Sequence, residues 1–160
     1  MTARTPLTPW SDTRATEVAA GYADMPGGLL PLLQELQATF GFIADSAVPI
    51  VAQALNLSRA EVHGVLTFYH DFRRAPPGRH VLKVCLAEAC RARGAEATVQ
   101  VLEQALQVNI GETSPNGRAT VEPAYCLGLC ASGPALLLDG RPMARLVGTR
   151  LEKLIAEVER

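Results

Sequence analysis

From residue 28 the apolar positions recur with the period of an α-helix. Leu29, Leu32, Leu33, Leu36 and Phe40 fall at i, i+3, i+4, i+7 and i+11, so they line one face, and Gly41 supplies a stop. Val48, Val51, Ala52 and Leu55 form a second stripe. It opens behind Asp45 or Ser46 as a cap, admits Pro49 in its first turn and ends at Asn56. Ser58 and Glu61 make a capping box for a third helix, with the stripe Val62, Val65, Leu66 and Tyr69. Short helices joined by turns of a few residues must pack as neighbours, which predicts a three-helix bundle over residues 26–75. Residues 1–25 show no such period, and Pro6, Pro9 and Pro26 mark turns. This stretch reads as an N-terminal tail, either loose or docked on a partner through Trp10, the only tryptophan.

Ala75-Pro76-Pro77-Gly78 breaks the helical period and sets a domain boundary, so residues 76–160 form a second domain. His80 to Val84 reads as a strand that ends at Cys85. Gly94 to Val108 reads as a helix with Ala95, Val99, Leu102 and Leu106 on one face, and Gly111 to Gly117 as a loop. Arg118 to Glu122 is a second strand leading to Cys126, and residues 134–138 and 141–146 form a hairpin around Asp139-Gly140. Thr149 and Glu152 offer another capping box, opening a last helix with Leu151, Leu154, Ile155 and Val158 inward. The order β-α-β-β-β-α fits a mixed four-stranded sheet with helices. The fold class expected is α+β, a helical bundle followed by an α/β domain.

Charge narrows the function classes. With 15 basic and 16 acidic residues, the chain has no footprint for nucleic acid or for an anionic membrane. No stretch reaches the about 18 apolar residues of a membrane span. The N-terminal residues lack the apolar core of a secretory signal, so a cytoplasmic location is expected.

The candidate chemistry lies in four cysteines, spaced C-x4-C-x35-C-x3-C: Cys85 and Cys90, then Cys126 and Cys130. Every thiol in the chain belongs to this constellation. A disulfide framework suits small secreted chains in oxidising compartments, which nothing else here supports. Structural zinc usually takes C-x2-C knuckles, and neither pair has that spacing. An iron–sulfur centre is the third reading and fits best. Two separated pairs suit a rhomb with two irons, each taking two thiolates. Arg91 and Arg93, directly after Cys90, read more simply as solvated charges than as groups that hold cluster charge. Glu88 is expected to point to solvent. Gly128 and Gly133 are expected to let backbone N–H groups approach the sulfurs. His63 and His70, seven apart on the third helix, and His80 read as ordinary surface or interface residues. There is no G-x-G-x-x-G motif after a strand, no phosphate loop and no catalytic residue set. The chain alone thus reads as an electron carrier. A zinc-stabilised interaction module is the runner-up, and a thiol–disulfide enzyme would need a C-x-x-C motif that is missing.

The cysteine spacing, with CLGLC followed by Gly133-Pro134-Ala135, resembles the thioredoxin-like [2Fe–2S] ferredoxin family. Residues 29–72 are similar to that family's N-terminal helical segment, and the likeness covers roughly residues 25–160. The family includes the small iron–sulfur subunit of respiratory complex I and its relatives in NAD-linked hydrogenases and formate dehydrogenases. Complex I members usually carry Gly-Thr inside the first pair, where this chain has Ala87-Glu88-Ala89. CLAEAC instead resembles the gamma subunit of cytosolic NAD-dependent, molybdenum-containing formate dehydrogenase. The resemblance implies a thioredoxin-like second domain and one [2Fe–2S] cluster, held by Cys85, Cys90, Cys126 and Cys130. It also implies a partner subunit that binds FMN and NAD and a formate dehydrogenase catalytic subunit, with molybdopterin confined to that partner. In the family this centre sits beside the flavin, off the main chain of clusters.

Overall fold

A computed structural model of the chain describes residues 8–160, so the turn expected at Pro6 lies outside the described residues. The chain divides into two compact units between Pro76 and Pro77. In the first unit the expected helices are α2 (Leu29–Phe40), α3 (Ala47–Ala54) and α4 (Arg59–Phe68). They are preceded by a further helix, α1 (Asp12–Ala20), inside the stretch expected to be a tail. Ser11 caps it by accepting a hydrogen bond from the Arg14 N–H, and its inner face is Ala15 and Ala19, with Val18 and Tyr22 beside them. The unit is therefore a four-helix assembly. Its core is Leu32, Leu33, Leu36, Phe40, Ile43, Val51, Val62 and Leu66, all nearly or fully buried.

Trp10, partly buried, packs against this core. Its ring lies 4.6 Å from Phe40 and 5.8 Å from Phe42 between centroids. Its Nε1 donates to Asp12 Oδ1 at 2.7 Å and to Ser46 Oγ at 3.0 Å, and the Ser46 hydroxyl donates to Asp12 Oδ1 at 2.6 Å. That triangle fixes the start of α1 against the start of α3. It also explains why Ser46, at the N-cap position of α3, makes no capping bond of its own. Asp45, the other expected cap, pairs with Arg74.

Two local signals act as the sequence predicts. Gly41 ends α2 at φ 83°, where only glycine sits without cost. The Ser58–Glu61 box closes in both directions, with the Glu61 N–H at 3.2 Å from Ser58 Oγ and the Ser58 N–H at 2.8 Å from Glu61 Oε2. Because α4 ends at Phe68, His70 lies beyond it and shares no helix face with His63.

The second unit runs β1 (His80–Cys85), α5 (Glu88–Arg91), α6 (Ala95–Leu106), β2 (Ala119–Ala124), β3 (Ala135–Leu138), β4 (Arg141–Ala144) and α7 (Thr149–Val158). The sheet order is β2-β1-β3-β4, with β1 parallel to β2 and the other pairs antiparallel. It is the mixed sheet of a thioredoxin-like fold. Leu82, Val84, Val121, Leu136 and Leu138 of the sheet share one core with Leu102 and Leu106 of α6 and Leu151, Leu154 and Val158 of α7. The hairpin turns on Asp139 and Gly140, both at positive φ (51° and 82°), as a two-residue turn of the primed kind requires. Asp139 also accepts the Val81 N–H at 2.8 Å and contacts His80 Nδ1 at 2.7 Å, so His80 ties the start of β1 to the hairpin. β4 stops at Ala144, two residues short of the expected end, because Arg145 turns the chain at φ 55°. The capping box expected at Thr149 and Glu152 does not form. Gly148 takes the N-cap position and Thr149 is already inside the first turn. Among the described residues no helix is long and apolar enough to cross a membrane.

The Trp10 triangle carries a pH dependence. Hydrogen bonds from Ser46 and then Trp10 hold the Asp12 carboxyl below its ordinary value near 3.8. A carboxyl with a depressed folded-state pKa stabilises the fold above its unfolded value, and that contribution is lost as the pH falls through the folded value. Asp12→Asn is expected to flatten the acid limb of stability below about pH 4. Denaturant midpoints followed by Trp10 fluorescence and by circular dichroism measure this, and an unchanged acid limb would refute it.

Candidate metal centre

Parallel pairing of β1 with β2 sets the site. Cys85 is the last residue of β1 and lies in register with Ala124, the last of β2. The Leu86 N–H then bonds the Ala124 carbonyl at 2.8 Å, which carries the pairing one step past both strands. The chain leaves β2 two residues before Cys126, so the second cysteine loop starts beside the first. Cys90 sits in α5, the single helical turn that follows β1. Cys130 opens a short 3-10 turn that ends at Ser132.

The four thiols are free and unequally covered. Cys85 and Cys90 are each 1% exposed, whereas Cys126 is exposed and Cys130 partly so. Cys85, Cys90, Ala95 and Ala135 form a small apolar cluster of their own, which Leu127 and Leu129 of the second loop join. All four predicted cysteines therefore belong to one end of the unit. They stand as pairs: Cys126 and Cys130 Sγ are 4.0 Å apart, and Cys85 and Cys90, both buried, share one apolar cluster. Among the described residues no three histidine, cysteine or acidic side chains close on a single-ion point.

Backbone amides converge on the sulfurs. The backbone amides of Ala87, Leu127 and Cys126 favour the Cys85 thiolate, and that of Ala135 favours the Cys90 thiolate. The Gly128 N–H reaches Cys126 Sγ at 3.4 Å, from a residue at φ 74° that glycine tolerates. Desolvation opposes ionisation of Cys85, yet the Ala87 amide, the Cys90 thiol and the Leu127 and Cys126 amides together lower its pKa. Cys90 is pushed up to about 11, first by burial and then by donating to Cys85 and by that thiolate's charge. Cys130 is raised mainly by its hydrogen bond to Cys126 and by the charge there.

Gly133 does not need an unusual φ; it needs the space. A Cβ there would stand 3.2 Å from Cys90 Sγ and 3.3 Å from Arg93 Cδ. Arg93 differs from expectation, because its Nε donates to the Gly133 carbonyl at 3.1 Å and so bridges the two cysteine segments. Arg91 stays on the surface, 3.6 Å from Glu96, and Glu88 is exposed. The donor amides of Ala87, Leu127 and Ala135 were not among the predicted site residues. Backbone groups carry no residue signature, and only the short spacing around each cysteine hinted at them.

The sequence profile of the thioredoxin-like [2Fe–2S] ferredoxin family matches residues 15–159. The chain is 35% identical over 118 residues to the E subunit of NADH-quinone oxidoreductase from Pseudomonas aeruginosa, covering 74% of this chain and 71% of that one. It is 29% identical over 131 residues to the HndA subunit of the NADP-reducing hydrogenase from Solidesulfovibrio fructosivorans, covering 82% and 77%. Among solved structures, an air-oxidised NAD+-reducing [NiFe]-hydrogenase superposes with a TM-score of 0.71 at 28% identity. That match takes in 82% of this chain but 23% of the hydrogenase chain, so the present chain spans less than a quarter of it. The chain belongs to the thioredoxin-like [2Fe–2S] ferredoxin family, and a [2Fe–2S] cluster is its cofactor.

The donor set suits that cofactor. Two thiolate pairs match two irons, and the converging amides offset the negative charge that the thiolates bring. Gly133→Ala is expected to lower the iron content per chain, because its Cβ would stand 3.2 Å from Cys90 Sγ and Cys90 cannot withdraw without moving α5. Iron per chain, measured against the wild type purified in parallel, tests this. Full iron content in the variant would show that the close approach is not required.

Proposed function

We propose that this member of the thioredoxin-like [2Fe–2S] ferredoxin family is an electron-transfer subunit whose Cys85, Cys90, Cys126 and Cys130 ligate one cluster. The observation that carries this reading is that two thiol pairs, distant in sequence, lie side by side under a set of donor amides. Cys85 and Cys90 would bind the buried iron, and Cys126 and Cys130 the iron nearer solvent. The cluster, when bound, takes up and gives back one electron. The protein's part is to hold the four thiolates, meet their charge with N–H groups, and keep water from the Cys85–Cys90 side. An all-thiolate set with no histidine ligand is expected to give a low potential, since imidazole ligands are what raise Rieske centres.

Iron and acid-labile sulfide near two each per chain are the expected result. A count near four, or stoichiometric zinc, would overturn the assignment. Replacing any one of the four cysteines by alanine is expected to abolish or alter the visible absorption of the centre. Retention of a native spectrum in all four variants would remove them as ligands.

The subunit is proposed to work beside a partner that binds FMN and NAD. The tripeptide Ala87-Glu88-Ala89, at a position where complex I members usually carry Gly-Thr, supports a cytoplasmic NAD-dependent formate dehydrogenase, with molybdopterin in its catalytic subunit. The relatives described above favour a second reading, the equivalent subunit of an NAD-linked hydrogenase or of NADH-quinone oxidoreductase. Native complex isolated through this chain is expected to reduce NAD with formate. Reduction with hydrogen instead, or NADH oxidation by quinone alone, would replace the first reading with the second. A chain found monomeric at native expression would remove both.

A further inference from the structure

Arg93 is the side chain at this end of the fold that the proposed function leaves without a task. It follows Cys90 by three residues and lies past the end of α5, where a long exposed cation would ordinarily extend into solvent. Instead its Nε donates to the Gly133 carbonyl at 3.1 Å, across 40 residues of sequence. A Cβ placed on Gly133 would stand 3.3 Å from Arg93 Cδ and 3.2 Å from Cys90 Sγ. The Arg93 stem and the buried Cys90 sulfur thus both border Gly133. Two residues beyond Gly133, the Ala135 amide favours the thiolate form of that same sulfur. By holding the Gly133 carbonyl, Arg93 also steadies the segment that supplies this amide. Of the neighbouring charges, Arg91 stands 3.6 Å from Glu96, and Glu88 is exposed.

We propose that Arg93 is a positioning residue that ties the two cysteine segments together and, by its fixed positive charge beside Cys90, favours the reduced form of the cluster. This rests on the reading that the four cysteines hold a [2Fe–2S] centre. On that reading one electron enters from the reduced flavin of the partner subunit, and the charge over irons, sulfides and thiolates goes from about −2 to about −3. A nearby cation stabilises the more negative state more strongly. The guanidinium remains partly open to water, so screening keeps the effect modest.

Arg93→Gln removes the charge, and Arg93→Lys keeps it. Both are made in the full chain, and iron and sulfide are counted first. A wild type without iron would refute the cluster assignment itself, separately from any role of Arg93. In loaded protein, redox titration followed by electron paramagnetic resonance reads the reduced-to-oxidised ratio at a fixed ambient potential. The ratio is expected to fall about two- to fivefold in Arg93→Gln, to be restored in Arg93→Lys, and to differ less at high salt. A purely structural role would change cluster content and leave the midpoint of the loaded fraction alone. An unchanged midpoint in loaded Arg93→Gln would overturn the proposal, as would a lowered midpoint that Lys does not restore. Should Arg93→Gln hold no cluster, the Lys variant decides: loading with the wild-type midpoint supports the proposal, and anything else overturns it.

Discussion

The cysteine end of the second unit depends on the parallel pairing of β1 with β2. Parallel neighbours cannot be joined by a tight turn, so the chain must cross over, and α6 is that crossover. The crossover explains why the two thiol pairs are far apart in sequence although they are neighbours in space. It also fixes their faces. With Cys85 opposite Ala124, both strands deliver their cysteine segments at the same edge. A slip of one residue would turn Cys85 to the other face and bring Val84 toward the second loop. Leu82, Val84 and Val121 on the helix-covered face prevent this, because a slip would expose them. The hydrophobic core and the thiol geometry are therefore two results of one register.

The thiols are not embedded in that core. Cys85 and Cys90 sit in a small apolar cluster with Ala95 and Ala135, separate from the leucine and valine core between sheet and helices. Small side chains there leave room for backbone to approach sulfur, which larger ones would block. Gly133 is the extreme case, since even a methyl group would meet Cys90. The second loop is similarly tight. Cys126 takes φ 100°, a conformation that residues with a side chain rarely adopt, and Gly128 follows at φ 74°. The loop doubles back far enough for the Gly128 amide to face the Cys126 sulfur. Backbone geometry, more than charged side chains, is what meets the charge on the sulfurs.

Elements with strong period and strong end signals were legible in the sequence. α2, α4 and the Asp139-Gly140 hairpin each carry large apolar residues in period together with a stop, a cap or a turn that can form in only one way. α1 was missed although Ser11 can cap it and Ala15, Val18, Ala19 and Tyr22 share one face. Alanine contributes little to a hydrophobic stripe, and the nearby prolines suggest a turn-rich segment. The helix is held chiefly by tertiary contacts, the Trp10 triangle and the bundle core, which no local window contains. The capping box expected in α7 failed for a local reason, since Gly148 occupies the position from which Thr149 would have had to act. The four cysteines were legible because they are the chain's whole complement of thiols. The amides of Ala87, Leu127 and Ala135, and the reach of Arg93 to Gly133, depend on loop paths that residue identity does not encode.

The unequal covering of the two thiol pairs has a physical consequence. Cys85 and Cys90 lie where water is excluded, so the dipoles of the neighbouring amides act there with less screening. Cys126 and Cys130 lie toward solvent, and next to them Tyr125 is 77% exposed. An electron carrier must satisfy opposed demands: a site dry enough for its neighbours to tune, and an edge near enough to the surface for a partner to reach. A fully buried centre would meet the first and fail the second, and a fully exposed one the reverse. Two thiol pairs on two different segments allow both, because each pair takes its surroundings from its own strand end. The crossover that separates the pairs in sequence thereby lets one side of the site be dry while the other stays open.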